Sequence, residues 1–366
     1  MSKTARTIFT AIGLVLLGYI LWYFKSIVIY ILISLVLALL GRPLFDLLGK
    51  LRIRKFKLPA AIRSIITLLV LLSLIFTFFA IFIPLIINKT NELANLDIQG
   101  MVASLQEPLW RLENLLNRFK IFPEGGLSLP EIAARITAKI NVDSVTGFFS
   151  SVAGTVGNVA VAIFSIIFIT FFFLKDESLF AKGILSIVPD HLTDEVTRFM
   201  ASTKRLLIRY FGGLVLEVAG VILLSFIGFL IIGISFSDSL LIGFLAGIFN
   251  IIPYIGPIIG TALALLIGFV THMQLPFTGE LLSLMIWILV ICIIVQWIDN
   301  WIFQPFIYSS SVHAHPLEIF FVFLVAGSLG GILGMISAVP AYIVIRVFAK
   351  EFFNNFKFVR SLTRNI

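Results

Sequence analysis

The sequence has few charged residues and almost no cysteine. Charged residues make up 13% of the 366 positions, whereas hydrophobic residues make up 60%, and the mean hydropathy is +1.10. No soluble globular domain approaches this composition, so a soluble enzyme or binding domain is excluded. The single cysteine, Cys292, excludes an internal disulfide, a zinc ribbon and paired-cysteine redox chemistry. The chain is therefore predicted to be a polytopic membrane protein, with the lipid bilayer as its surroundings.

The short motifs of membrane pumps and membrane enzymes are also missing. The sequence contains no G-x-x-x-x-G-K loop, no H-E-x-x-H pair and no dinucleotide-binding fingerprint. We therefore expect neither enzyme activity nor a cofactor. His313 and His315 have no cysteine or carboxylate cluster beside them, so no metal site is predicted. The net charge is +8, but the basic residues cluster in short loops that orient a membrane protein, so no nucleic-acid partner is expected.

Apolar runs along the chain predict about eight transmembrane helices and hence an all-α polytopic fold. The loop after the second run carries seven basic residues against one acidic residue, Asp46, which predicts a cytoplasmic location. Both chain termini are then also expected in the cytoplasm. The predicted regions are 1–87 (a helical hairpin, the basic loop and the third span), 88–147 (an extracytoplasmic module), 148–210 (the fourth span and a cytoplasmic amphipathic helix), 211–350 (a C-terminal transport core) and 351–366 (a cytoplasmic tail).

The module at 88–147 differs from the rest of the chain because its positive and negative charges balance. Within it, apolar residues recur at alternating steps of four and three, which predicts one apolar stripe along a helix. These residues are Leu105, Leu109, Leu112, Leu116 and Phe119. Two heptads are too few for a coiled coil, so we expect a helix that lies on the membrane or on a neighbouring subunit.

Two apolar runs in the C-terminal half are too long for one straight transmembrane helix. Leu240 to Val270 and Leu317 to Phe348 each hold about 30 residues, which is roughly 45 Å of helix against a hydrocarbon core of ~30 Å. Each run is interrupted by glycine and proline. Each must therefore either tilt and kink as a full span or fold back as a re-entrant hairpin, and the charges of the flanking loops are compatible with both.

The first of these runs is broken by two prolines and two glycines between Phe249 and Gly260. Proline removes a backbone donor and clashes with the preceding turn, so the helix must bend or stop there. Irregular backbone at membrane depth is tolerated only where protein buries it or where it lines a wet cavity. The break therefore indicates either a substrate path or a simple proline kink.

The C-terminal motifs resemble those of the autoinducer-2 exporter-like family of bacterial membrane permeases. That family carries an asparagine before P-Y-x-G-P-I-x-G, then Q-x-x-[DE]-N with a later proline, then His-Pro and a glycine-rich run that ends in A-V-P. The corresponding residues here are Asn250 with Pro253 to Gly260, Gln296 with Asp299, Asn300 and Pro305, His315 with Pro316, and Gly330 to Gly334 followed by Ala338, Val339 and Pro340.

The resemblance implies a bacterial inner-membrane protein with eight full spans that assembles as a homo-oligomer. Eight spans are therefore our expectation for the chain. The resemblance leaves the substrate open, since relatives are described as exporters of autoinducer-2, as sodium or lithium/proton antiporters, or only as permeases.

Ionisable residues inside predicted spans are the main candidates for transport, because a charge is costly there. Asp299 is the first candidate for coupling, and its alternative role is to cap a neighbouring broken helix. Glu217 is the second, and its alternative is to reach the headgroups or pair with Arg209. Arg346 is expected to reach the cytoplasmic headgroups. The full set of predicted substrate-path residues is Asn250, Pro253, Tyr254, Gly256, Pro257, Gln296, Asp299, Asn300 and Gln304.

Three functions are compatible with the sequence. The first is a secondary exporter of a small polar molecule such as the autoinducer-2 quorum-sensing signal. The second is a sodium or lithium/proton antiporter that uses Asp299, with Glu217 as a possible second titrating group. The third is a membrane scaffold that transports nothing. The broken helices count against the scaffold, and the small number of intramembrane carboxylates counts against the antiporter.

Overall fold

The computed structural model describes residues 16–94, 156–305 and 316–360, apart from scattered positions within these ranges. Of the module predicted at 88–147, only residues 88–94 are described, and they form the end of a helix. The first predicted span lies mostly outside the described residues. The described part is almost entirely helical, which confirms the prediction of an all-α polytopic fold.

Three helices form the N-terminal bundle: α1 (Lys25–Lys50), α2 (Ala60–Ala94) and α3 (Val156–Lys175). Two short antiparallel strands, β1 (Arg52–Ile53) and β2 (Phe56–Lys57), join α1 to α2.

Helix α1 extends beyond the second apolar run of the sequence, Ile27 to Leu40, which is short for a membrane crossing. It continues through Pro43 to Lys50 because its last turns still have an apolar side to bury. Phe45 is only 4% exposed and packs in one cluster with Leu68 and Leu174. Ser34 also ties α1 to α3, since its hydroxyl donates to the carbonyl oxygen of Ile166 at 3.1 Å.

Next come the short helix α4 (Glu177–Leu185), a 3₁₀ turn (Asp190–Leu192) and the long helix α5 (Thr193–Ile231). The predicted cytoplasmic amphipathic stretch and the predicted fifth span are parts of this one 39-residue helix. No proline interrupts it. Its amphipathic first half buries Leu206, Leu207 and Tyr210 against the C-terminal part of the chain, which keeps the helix continuous.

The first interrupted run forms a hairpin of two helices, α6 (Phe236–Asn250) and α7 (Ile255–Thr271). A Cβ atom on Gly260 would lie 3.2 Å from the Cα atom of Ala246, so the two arms are antiparallel and in close contact. Arms of 15 and 17 residues are about 22 and 25 Å long, short of a full bilayer core. The run therefore folds back rather than crossing as one kinked helix.

Helix α8 (Leu282–Ile298) lies between two π-helical turns, Phe277–Leu281 and Asp299–Phe303. The last element is α9 (Pro316–Phe353), which reverses at Gly331, whose φ of 58° and ψ of −141° are not helical. The hydroxyl of Tyr342 donates to Glu318 at 2.7 Å across 24 positions, which a straight helix would separate by about 36 Å. The second long run is therefore also a hairpin.

The two hairpins pack against α5 in different places. The arms of α9 bury Phe323, Val339 and Val347 against the first half of α5. Helices α6, α7 and α8 share a second apolar cluster with the end of α5, around Phe229. We call the end of the bundle that holds Lys89, Asp238 and Thr271 the distal end. The end that holds the ion pair of Arg198 and Glu351 is the proximal end.

The expectation of eight full spans had both long runs cross as single helices, whereas in the structure both runs reverse on themselves, and the number of spans stays a prediction. Five helices in the described part are long and apolar enough to cross a membrane, and one of them, Leu317–Phe353, is the reversed helix α9. The two ends of the α6–α7 hairpin lie at the distal end, so α8 runs from the distal end towards the proximal end. Helix α9 then begins and ends on the proximal side.

This arrangement predicts the result of a cysteine-labelling experiment. In a Cys292→Ala background, a cysteine at Gln274 should react with an impermeant thiol reagent on intact cells, whereas a cysteine at Ser310 should not. With the basic loop after α1 in the cytoplasm, folded-back hairpins place the end of α7 outside and the start of α9 inside, and the two cysteines report the segments that follow α7 and precede α9. The cysteine-free parent measures background labelling. Reaction at Ser310 without reaction at Gln274 would restore the eight-span arrangement.

Candidate functional site

The last residue of α6, Asn250, joins two carboxyl groups in the interior of the bundle. Its side-chain nitrogen donates to Glu217 Oε1 at 3.3 Å and to Asp299 Oδ2 at 3.2 Å. Glu217 lies on α5, and Asp299 begins the π-helical turn after α8. One amide therefore connects the turn of the first hairpin with two neighbouring helices. Because both oxygens contact the same nitrogen, the two carboxyl groups are close neighbours.

Two further amides complete what we call the interior polar cluster: Glu217, Asn250, Gln296, Asp299 and Gln304. Gln304 Nε2 donates to Asp299 Oδ2 at 2.9 Å, and Gln296 Nε2 donates to the same oxygen at 3.4 Å. Gln304 follows Asp299 by five positions, which a π-helical turn brings onto the same side of the helix. Asp299 Oδ2 therefore accepts from three amides, one on α6, one on α8 and one directly after the π-helical turn.

The carboxyl groups of this cluster are buried and incompletely paired. Glu217 is 3% exposed and Asp299 is 0% exposed. Glu217 Oε2 and Asp299 Oδ1 have no hydrogen-bond partner, and neither residue forms an ion pair with a basic side chain in the described part of the chain. The expectation that Glu217 could reach the headgroups or pair with Arg209 is wrong, since Glu217 faces the interior. The cluster thus holds two open acceptor oxygens in apolar surroundings.

The turn beside Asn250 has a strained backbone at Tyr254. Its φ of 67° and ψ of −48° are close to a classic γ-turn, and the amide of Ile255 donates to the carbonyl oxygen of Pro253 at 2.8 Å. This conformation is rare for a residue other than glycine, and such strain is concentrated at functional sites. The ring of Tyr254 packs edge-on against Phe320 of α9, 5.6 Å between centroids. The turn of one hairpin therefore meets an arm of the other.

Gly256 makes this turn possible. A Cβ atom at Gly256 would collide with the carbonyl oxygen of Phe249, so no other residue fits without a backbone shift. Pro253 is the first residue of the γ-turn, and Pro257 lies just after the turn, in the first turn of α7. The four predicted turn residues, Pro253, Tyr254, Gly256 and Pro257, therefore lie beside Asn250 in the structure, as they do in the sequence.

One predicted residue lies at the edge of the cluster rather than in it. Asn300 is exposed, and its side-chain oxygen accepts only from Gln296, at 3.4 Å. An ideal helix would have placed Asn300 on the same face as Asp299. The π-helical turn changes that spacing, so Gln304 reaches Asp299 while Asn300 turns outward.

A second polar group, on the two arms of α9, was not predicted. Tyr342 donates to Glu318 and lies under the guanidinium of Arg346, 5.7 Å from its ring centroid. Arg346 is 8% exposed, so the expectation that it reaches the headgroups is wrong. Glu318 and Tyr342 are equally far from Gly330 in the sequence, one before it and one after it. A reversal at the Gly330–Gly331 pair would bring them together, so this symmetry was the signal available in the sequence.

Nothing in the described part of the chain forms a metal-binding group of three or more histidine, cysteine, aspartate or glutamate side chains. The chemistry that the cluster offers is therefore that of two carboxylates and three amides. Such a set can accept hydrogen bonds from hydroxyl groups, hold a proton, or coordinate a small cation through oxygen.

Comparisons with known proteins agree with the motifs. Residues 11–354 match the family described as "AI-2E family transporter". The chain is 29% identical over 325 residues to "Putative transport protein YueF" of Bacillus subtilis, covering 87% of this chain and 82% of that protein. It is 32% identical over 187 residues to "Putative transport protein YrrI" of the same organism, covering 50% of this chain and 49% of that protein.

A more distant relative comes from an archaeon. "Putative transport protein MJ1177" of Methanocaldococcus jannaschii is 24% identical over 323 residues, covering 88% of each chain. The family match extends over both hairpins, α5, α8 and the interior polar cluster, and it confirms the resemblance read from the C-terminal motifs. The chain therefore belongs to the AI-2E transporter family of membrane proteins.

Proposed function

We propose that this transporter exports a small polar molecule, such as the autoinducer-2 signal, and that the interior polar cluster lies on its route. The observation that carries the proposal is the contact of Asn250 with both Glu217 and Asp299. Buried ionisable groups in membrane helices are costly and mark transport paths more often than structural positions. The contact also joins the turn of a broken helix to two neighbouring helices, as in transporters that bind their cargo at such breaks.

The unpaired oxygens of the cluster suit a cargo with hydroxyl groups. Glu217 Oε2 and Asp299 Oδ1 are acceptors without donors, and a hydroxyl-rich solute supplies donors. The three amides, Asn250, Gln296 and Gln304, can exchange their hydrogen bonds with the cargo at small net cost. The autoinducer-2 signal meets these requirements.

The same cluster supports a second candidate function, sodium or lithium/proton antiport. Two carboxyl groups are buried together without a basic partner among the described residues. Two uncompensated negative charges are strongly unfavourable in such a place, so the pair requires a proton or a small cation. Alternation between a proton and a cation at this pair would couple their movements. The scaffold hypothesis has no comparable support, because a scaffold needs no such cluster.

The surroundings of the chain form part of the proposal. The positive-inside rule and the family resemblance support a bacterial inner-membrane location with both termini in the cytoplasm. The resemblance also supports a homo-oligomer.

Flux measurements on the purified protein in proteoliposomes test the proposed function. A panel of neutral hydroxylated solutes that includes autoinducer-2, together with sodium and lithium, would be tested with and without an imposed proton gradient. We expect movement of a hydroxylated solute that stops when Asp299 and Glu217 are both replaced by leucine. Protein-free liposomes give the leak rate.

The outcomes separate the candidate functions. Cation flux driven by a proton gradient, without solute flux, would replace the exporter by the antiporter. Equal flux in the wild-type protein and in the double leucine variant would show that the cluster is not on the path.

A further inference from the structure

A buried ion pair lies at the distal end of the bundle, away from the interior polar cluster. Lys89 Nζ contacts Asp238 Oδ1 at 2.7 Å, and the side chains of the two residues are 8% and 9% exposed. The same Nζ donates to Thr271 Oγ1 at 2.8 Å. Two full charges and a hydroxyl therefore meet out of contact with solvent.

The three residues come from three different helices. Lys89 lies near the end of α2, Asp238 lies in the first turn of α6, and Thr271 is the last residue of α7. Asp238 is itself held in place, because Ser235 donates to its Oδ2 at 2.9 Å and accepts from its backbone amide at 3.1 Å. One lysine therefore fastens both open ends of the α6–α7 hairpin to α2.

Tightly packed apolar side chains separate this ion pair from Asn250. Ile242 and Ala264 are 0% exposed, and Ile267 is 4% exposed. Phe82 and Leu85 of α2 pack against the same cluster. A route from the distal end to the interior polar cluster through these side chains therefore requires the hairpin arms to separate from each other or from α2.

A buried ion pair adds little to the free energy of folding, but it favours one arrangement of the helices that it joins. Removing two charges from water costs about as much as their attraction returns, so the pair adds little net stability. Once the pair is separated and hydrated, that cost is recovered, so a two-state contact of this kind can open without a large loss of free energy.

We propose that Lys89, Asp238 and Thr271 form a latch that holds the distal end of the transport path shut. The latch closes the hairpin base whose other end carries Asn250 and Tyr254, and its release exposes the buried arms of α6 and α7 at this end. This inference rests on the proposed function, because a latch matters only on a path that is used for transport. Its physical claim is that the distal end opens when the ion pair separates.

Thiol labelling at Ser239 tests the latch without any cargo. Ser239 is 0% exposed and follows Asp238 on α6, so a cysteine there reports opening. In a Cys292→Ala background, the rate of labelling of Ser239→Cys by an impermeant maleimide is compared with and without Lys89→Met. This change leaves the Asp238 carboxylate without its cation, which is costly in the closed state, where Asp238 is buried, but not in a hydrated open state. Whole cells and inverted vesicles identify the side from which the reagent enters.

We expect labelling at least about tenfold faster in the latch variant, from one side only, because the closed population falls when the buried Asp238 carboxylate loses its cation. The matched control is Arg198→Met, which takes the cation from Glu351 at the proximal end and should leave the rate unchanged. Equal rates in the parent and the latch variant would overturn the latch. An equal increase in the control would also overturn it, since it would show general loosening. The labelling rate can be measured without any transport, so a failure of the latch can be distinguished from a failure of the proposed function.

Discussion

Asp299→Asn is expected to lower gradient-driven transport by roughly two orders of magnitude while the protein folds as before. The substituted amide can keep its oxygen where Asp299 Oδ2 accepts from Asn250, Gln296 and Gln304. Its nitrogen then occupies the place of Oδ1, which has no partner to lose. The change therefore removes the charge and the ability to hold a proton, but not the hydrogen bonds. Flux in proteoliposomes and the midpoint of thermal unfolding measure the two effects separately.

Asn300→Ala is the matched control for this prediction. Asn300 is the next residue along the same π-helical turn, is exposed, and contacts only Gln296 among the cluster residues. Its loss should leave both flux and thermal unfolding close to those of the wild-type protein. If the Asp299→Asn protein keeps the wild-type flux and pH profile, Asp299 serves only to hold Asn250 and its neighbours in place.

The second large effect is expected at the turn of the first hairpin. Gly256→Ala should abolish transport and lower the yield of folded protein, at a cost of more than about 4 kcal/mol. The added Cβ atom meets the carbonyl oxygen of Phe249, which belongs to the backbone and cannot rotate away. The turn must then open, and Asn250 loses its position between Glu217 and Asp299. Fluorescence-detected size exclusion after heating gives the stability, and flux gives the function.

Gly212→Ala provides the comparison, because it makes the same chemical change at a helical glycine of α5. A Cβ atom there meets nothing within 4 Å, so we expect no loss of stability and unchanged flux. A Gly256→Ala protein as stable and as active as the Gly212→Ala protein would mean that the turn can rearrange freely. In that event the close contact of Gly256 with Phe249 would have no functional importance.

The main features of the fold followed from composition and from proline chemistry. The apolar runs predicted a helical membrane protein, and the prolines after Asn250 predicted the end of α6. Three of the predicted substrate-path residues, Gln296, Asp299 and Gln304, do lie together beside Asn250 at the broken run. These inferences succeeded because they depend on local spacing, and helix geometry converts local spacing directly into position.

The reversal of the two long runs could not be derived in the same way. Both a kinked span and a hairpin satisfy the hydrophobicity and the loop charges, so the choice depends on contacts between distant residues. Tyr342 and Glu318 decide it for α9, and Gly260 and Ala246 decide it for the first hairpin. The π-helical turn at Asp299 could not be predicted either, because an apolar pattern with a period of 3.6 residues assumes a regular α-helix. Of the predicted residues on this helix, the π-helical turn directs Asn300 out of the cluster and keeps Gln304 in it.

The buried pair of Lys89 and Asp238 was missed for a related reason. The two residues are far apart in sequence, and each lies near the end of an apolar run, where a charge normally marks the boundary of the membrane. Nothing local distinguishes a boundary charge from one that packs against another helix. The role of Glu217 was underestimated for the same reason. Its side chain points inward to meet Asn250, and the sequence alone does not show where Asn250 lies.

The two hairpins also constrain the order in which the newly made chain can assemble in the bilayer. The backbone groups that Pro253 and Gly331 leave outside regular helix cannot be satisfied by lipid, so neither hairpin can enter the membrane as an independent unit. The α6–α7 hairpin needs α8 as well as α5 beside it, and α8 is synthesised later. The α9 hairpin packs against α5, which is synthesised before it. The α6–α7 hairpin must therefore wait for α8 before its backbone breaks are fully covered by protein, whereas the partner of the α9 hairpin is already in place when α9 is made.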